Sequence, residues 1–182
     1  KHFFADKDHL QKVDGFLSLE GGGNMVCYGG MGSYRYKVSF KSPGGHSQGN
    51  FGMPNPIHAM GRAIAMFDEM DVPSVPNTTF SVGVVSGGTS VNSIAMECSM
   101  LVDMRSNGKA ELDAEDAEFK RIVAKAVEDE NKRWKDAESK YDNGRGNADK
   151  VCWAEIEQMG NRPVGPQPLE TPFVQNIIAA FE

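Results

Sequence analysis

A chain of 182 residues that is 40% hydrophobic and 24% charged has the composition of an ordinary globular domain, long enough to bury a core of useful size. Its formal charge of −6 argues against a nucleic-acid or anionic-membrane partner, and it contains no apolar run of the ~18 residues that a membrane span needs. The three cysteines, Cys27, Cys98 and Cys152, show no CxxC spacing, which argues against a disulfide framework or a structural zinc site and for a reducing, cytoplasmic setting.

The chain opens on KHFFADKDHL, without an initiator methionine or a signal-peptide pattern. Residues 16–19, FLSL, form a short apolar run that ends at Glu20. GGG at 21–23 breaks it and reads as a hinge, because the spacing fits neither a dinucleotide loop nor a phosphate loop. From Ser33 to Lys41 the alternation is strict: Tyr34, Tyr36, Val38 and Phe40 against Arg35, Lys37, Ser39 and Lys41. That is a half-buried strand with one wet face. SPGGHSQG follows as a loop. Asn55-Pro56 then starts a helix with Ile57, Met60, Ile64 and Phe67 as its apolar stripe, and DVPSVP stops it.

Thr78 to Val85 is a second strand, with Phe80, Val82 and Val84 on one face, and SGGTSVNS turns the chain. A third strand carries Met96, Cys98, Met100, Val102 and Met104 on one side and ends at Arg105. A long helix runs from about Asp113 to Trp134 and buries Phe119, Ile122, Val123, Ala126 and Val127, while EDENKRWKD reads as its solvated face. KYDNGRGNAD is a loop, Val151 to Gln158 a fourth strand, and NRPVGPQP a linker. In TPFVQNIIAAFE, Thr171 caps and Pro172 begins a helix whose apolar face is Phe173, Ile177, Ile178 and Phe181. That helix has a clear start and no stop, which together with the opening residues predicts a piece excised from a longer protein. Strand, helix, strand, strand, helix, strand predicts an α+β, ferredoxin-like βαββαβ fold: a four-stranded antiparallel sheet with two helices on one face.

No HExxH, GxSxG or phosphate-loop motif occurs, so the chain does not display a complete active site. Four residues invite chemistry. His46 is either an idle loop residue or a donor and proton carrier on a glycine arm that reaches a ligand or a neighbouring subunit. Asn92 is either a turn residue or an amide that polarises a carbonyl. Arg105 is either a surface arginine paired on its own sheet or a fork for a substrate carboxylate. Glu20, at the carboxyl end of an apolar run, either begins a turn or binds a metal.

In order, SPGGHSQG, NPIHAMGRAIA, FSVGVVSGGTSVNSIA and CSMLVDMRS resemble the dimerisation (lid) domain of the zinc-dependent aminoacylase and exopeptidase family, which includes deacetylases, desuccinylases, tripeptidases and glutamate carboxypeptidases. The resemblance covers about residues 13–182. It implies a lid inserted in a larger α/β catalytic domain, with residues 1–25 a catalytic-domain remnant, 26–162 the lid, and 163–182 a linker and the start of a returning catalytic-domain helix. By the same resemblance Glu20 corresponds to a zinc ligand, and His46 to a histidine that enters the active site of the partner subunit. Asn92 corresponds to an asparagine beside the scissile carbonyl, and Arg105 to an arginine that grips the substrate carboxylate. The implied parent is a homodimeric two-zinc hydrolase of peptides or N-acyl amino acids. The family's other zinc ligands and its general-base glutamate have no counterpart here, so the piece alone is expected to be inactive and metal-free. The alternative is a free-standing, non-catalytic ferredoxin-like module for dimerisation or small-ligand binding.

Overall fold

Ten-residue strands with strict alternation can only bury one face, so they need a layer of helices over that face. The structure, a computed structural model, describes residues 15–18, 26–141 and 144–181. Glu20 lies outside the described residues. In chain order the elements are β1 (Gly32–Lys41), β2 (Gly45–His46), α1 (Pro56–Asp68), β3 (Thr78–Gly87), β4 (Ser93–Ile94), β5 (Glu97–Ser106), α2 (Lys109–Asp136), α3 (Glu138–Tyr141), β6 (Trp153–Arg162) and α4 (Pro172–Phe181). They divide into two compact units, one of residues 30–165 and one of 1–29 with 166–182.

The larger unit is the expected ferredoxin-like arrangement. Its four long strands lie in the order β3-β5-β1-β6, all antiparallel, and α1 and α2 cover one face. Beneath the helices, Val38, Phe40, Met104 and Phe119 are fully buried. Each such side chain contributes roughly 1.5–3 kcal/mol by leaving water. Phe119 stacks on Tyr36 and meets Phe67 edge-on, each at 5.4 Å. The hydroxyls of Tyr34 and Tyr36 donate to Asp113 and Asp116 at 2.8 and 2.6 Å, which ties the sheet to the first turns of α2. The unit is closed where the chain enters and leaves it. Gly30 and Gly165 exchange N–H···O bonds of 2.8 Å in both directions, which marks the hinge end of the sheet. Among the described residues, no helix is long and apolar enough to cross a membrane.

Several local expectations need correction. In β3 the pairing slips between Val82 and Val84, so Val82 faces Val102 but Val84 faces Leu101 on the open side. The bulge at Gly83 turns Val84 outward, to 50% exposure. On α1 the buried face is Pro56, Ala59, Met60, Ala63 and Phe67, with Ile64 packed against the core, and Ile57 is exposed. Met96 precedes β5 and is exposed, α2 starts earlier than expected at Lys109, and β6 runs on through Arg162 into the expected linker. The run EDENKRWKD is not simply a solvated face: Glu130 is fully buried and Trp134 is buried beside it.

In the smaller unit, α4 buries Val174 and half-buries Ile177 and Ile178, while Phe173 and Phe181 are exposed. The Thr171 hydroxyl donates to Pro168 O at 2.7 Å, and its backbone carbonyl accepts from Gln175 N at 3.0 Å to begin the helix.

Candidate functional site

The loop after β1 is held by short-range bonds that only a few residue types can make. Ser42 Oγ donates to Ala95 O at 2.8 Å and accepts from Gly44 N at 3.1 Å. Gly44 has φ +73°, and a Cβ there would stand 2.4 Å from Met96 Cγ, so the position favours glycine. These constraints set Gly45 and His46 as β2, paired antiparallel with Ile94 and Ser93 of β4. The glycines therefore do not make a free arm. They deliver His46 to a two-stranded ribbon that stands beyond the start of β5.

Both side chains in question are exposed and fixed in direction. Asn50 Oδ1 accepts from His46 N at 3.0 Å, and Asn50 N donates back to His46 O at 2.9 Å. The amides of Gln48 and Gly49 donate to His46 Nδ1 at 3.3 and 3.2 Å. With Nδ1 accepting, the neutral ring carries its proton on Nε2, which is left to donate outward. Opposite, Ser90 Oγ donates to Asn92 Oδ1 at 2.6 Å, so the amide NH2 of Asn92 is the free end. Ser47 N donates to Asn92 O at 2.9 Å and joins the two loops directly. A cleft of about 510 Å³ adjoins them, lined by Gly45, Gly87, Thr89, Ser93 and Met96 among others. Its floor is tight: a Cβ on Gly87, where φ is +135°, would lie 2.4 Å from Cys98 Cα. The two joined loops thus each leave one N–H donor unspent, the kind of group that suits a carbonyl oxygen or an oxyanion.

Arg105 is elsewhere. It faces Ser33 and Thr79 at the hinge end of β5, nine residues past Met96. At a strand rise of ~3.3 Å per residue, that separates it from the loop pair by roughly 30 Å. It projects from the polar face, as expected, and its Nε donates to Asp103 Oδ2 at 2.6 Å. Arg35 Nε donates to the other oxygen of Asp103 at 2.8 Å. Burial raises the Asp103 carboxyl, but bonds to Arg35 and Arg105 and their charges outweigh it and hold the group below the usual carboxylate range.

The structure thus brings His46 and Asn92 together and keeps Arg105 apart. Ser90, Asn50 and Arg35 were not picked out from sequence. Ser90 stands two residues before Asn92, the spacing of a side-chain turn, which is the one local signal available. Among the described residues no three His, Cys, Asp or Glu side chains converge as a metal site. These residues do not by themselves fit zinc, and no metal step is assigned to them.

A model of the peptidase dimerisation domain matches residues 28–131. The chain belongs to the peptidase dimerisation domain family. The resemblance carried by GGHS, NPIHA, GGTSVN and VDMRS is thereby borne out. Solved structures with the same fold include an aminobenzoyl-glutamate utilization protein from Klebsiella pneumoniae, at 17% identity and TM-score 0.64 over 84% of this chain and 36% of that one. A hydantoinase/carbamoylase-family amidase from Burkholderia multivorans matches at 20% identity and TM-score 0.60, over 84% and 33%. The aminopeptidase PepT from Bacillus cereus matches at 15% and 0.57, over 81% and 34%. The chain spans about a third of the length of each. No curated protein matches it.

Proposed function

We propose that this chain is the dimerisation lid of a zinc-dependent peptidase or amide hydrolase, with residues 26–162 as the lid. His46 and Asn92 then act in the active site of the partner subunit, and Arg105 binds the substrate carboxylate. The observation that carries the reading is the division of these residues between the two ends of β5. Groups roughly 30 Å apart on one rigid sheet cannot close on one small substrate. They can serve two clefts, the hinge end one in its own subunit and the loop end one in a second copy. A two-fold pair makes that exchange reciprocal. The edge strand β3, with Val84 and Val85 about half exposed, offers a surface on which such a pair can form.

The chemistry of this chain's residues follows from their donors. As an amide carbonyl is attacked, its oxygen gains charge, and His46 Nε2–H and the Asn92 NH2 stand ready to bind it. Both are already oriented by Gln48, Gly49 and Ser90, so little reorganisation is needed in the transition state. Arg105 acts in binding and orientation. Glu20, by the family resemblance, is the chain's one contribution to a zinc site.

The test uses the full-length protein. His46→Ala should lower kcat by about 10²–10³-fold, the usual effect of removing one such donor, with little change in KM. Arg105→Ala should raise KM more than it lowers kcat. Mixed dimers of a His46→Ala subunit with an Arg105→Ala subunit should recover one active site in two if the roles are divided between subunits. Wild-type kinetics in both single variants would end the reading. A strict monomer by light scattering at high concentration would end the trans assignment.

A further inference from the structure

Strand register gathers three arginines on the open face of the sheet at its hinge end. One cross-strand row holds Thr79, Arg105, Ser33 and Arg162, and the next holds Ser81, Asp103, Arg35 and Gly160. Directly paired residues share a face with Cβ atoms ~4.5–5.5 Å apart, so Arg105 and Arg162 flank the small Ser33, and Arg35 stands one row behind. The stem of Arg35 crosses above Gly160, where a Cβ would lie 3.5 Å from it. No side chain at that position competes for the space.

Charge on this face is acidic toward one end, where Glu97, Glu155 and Glu157 stand against Lys37 and Lys41, and basic at the other. Toward the loop end, Lys41 Nζ bonds Glu155 Oε2 at 2.6 Å and Lys37 faces Glu157. At the hinge end three arginines stand with one acid, Asp103, which pairs with Arg35 and Arg105 only. Arg35 and Arg105 each give Asp103 only their Nε. Among the described residues their side chains make no other hydrogen bond or ion pair, and the Arg162 side chain makes none. The Nη ends of all three are therefore unspent. An excess of two positive charges stands here on a chain of formal charge −6.

We propose that Arg35, Arg105 and Arg162 together form a receptor for a dicarboxylate: a substrate end that carries two carboxylates. The function proposed above supplies its place in the reaction; the new elements are Arg35, Arg162 and the charge class of the substrate. Asp103 holds the Nε edges of Arg35 and Arg105 and so orients both forks before a ligand arrives, which removes part of the ordering cost of binding. Arg105 then takes one carboxylate, and Arg35 and Arg162 take the second. A monocarboxylate leaves one positive charge unmatched.

The experiment is a titration of this 182-residue chain, 15N-labelled, with glutarate, butyrate and inorganic phosphate, reading the arginine Nε–H and Ser33 amide signals. Glutarate should shift these signals saturably, bind about tenfold tighter than butyrate, as one further charged hydrogen bond allows, and weaken as salt rises. Arg162→Gln and Arg35→Gln should each bring glutarate close to butyrate, with Arg35→Lys intermediate. Arg162 bears no bond to Asp103 and is exposed, so Arg162→Gln is decisive even if Arg35→Gln perturbs the sheet. Equal shifts for glutarate and butyrate, phosphate binding as tight as glutarate, or shifts away from the patch would each overturn the proposal. The two readings fail separately. A dicarboxylate preference without His46-dependent turnover removes the lid mechanism, and His46-dependent turnover without that preference removes the receptor.

Discussion

The two ends of helix α2 treat a buried carboxylate in opposite ways. At the loop end Glu130 is fully buried, yet it accepts hydrogen bonds from Asn55 N and Arg62 Nε, both at 3.1 Å, and from Trp134 Nε1 at 2.8 Å. At the hinge end Glu115 is 4% exposed, and neither of its oxygens has a hydrogen-bond partner among the described residues. Burial first, then the charges of Asp103 and Asp116, push its carboxyl up to about 8. A satisfied buried charge anchors whatever surrounds it, and an unsatisfied one gives up its charge instead. The end that carries His46 and Asn92 is the anchored one. The end that receives the linkers holds a carboxyl that burial drives toward its neutral form.

The sharpest way to break that contrast is pH. An unfolded chain loses the Glu115 proton near 4.5 and the folded one near 8, so between those values the folded state binds one more proton. Stability from this group is therefore complete below about 4.5, falls as pH rises through the window, and levels off above about 8, a loss of roughly 5 kcal/mol. Urea unfolding at about pH 5, 7 and 9 measures it, and Glu115→Gln should flatten the profile. A wild-type profile already flat over this range would mean that Glu115 is satisfied by something else.

Next in size is Glu130→Ala, which strands Arg62 and removes the acceptor at the start of α1. It should cost about 3–5 kcal/mol by the same unfolding assay, and a cost under about 1 kcal/mol would deny Glu130 its anchoring role. Gly44→Ala forces a side chain into a left-handed position against Met96 and should cost about 1–3 kcal/mol. Hydrogen exchange reads it best, as lost protection of the Ser42 amide that bonds Met96 O. The smallest effect is Ser90→Ala, about 1 kcal/mol, seen as faster motion of the Asn92 side-chain amide in 15N relaxation. Ser90→Thr should restore order there if the hydroxyl is what holds it.

Much of the fold could be read from period alone, because Tyr34, Tyr36, Val38 and Phe40 in β1, and Cys98 to Met104 in β5, bury the side that alternation predicts. Alternation failed at Val84, where a bulge shifts the phase and nothing in the local residue types marks the shift apart from Gly83. On α1 the helical period placed Met60, Ile64 and Phe67 on the core side and missed Ile57, which is exposed, and Ala59 and Ala63, which are buried. Glu130 was invisible: a glutamate in a charged run is buried only if distant Asn55 and Arg62 come to meet it. The candidate site was half legible. GGHS and GGTSVN each read as a loop with a candidate side chain, and the family resemblance linked them. Their direct bond through Ser47 and Asn92 depends on the sheet order, which sets distant turns side by side. The grouping of Arg35 and Arg162 with Arg105 needed the register of three strands.

The Ser47–Asn92 backbone bond also ties the loop of the histidine to the loop of the asparagine. A change that loosens either tip displaces its neighbour, so damage done at one has already been partly done at the other. Removing both side chains should cost less than the sum of the separate losses, a sub-additive cycle that two isolated donors would not produce.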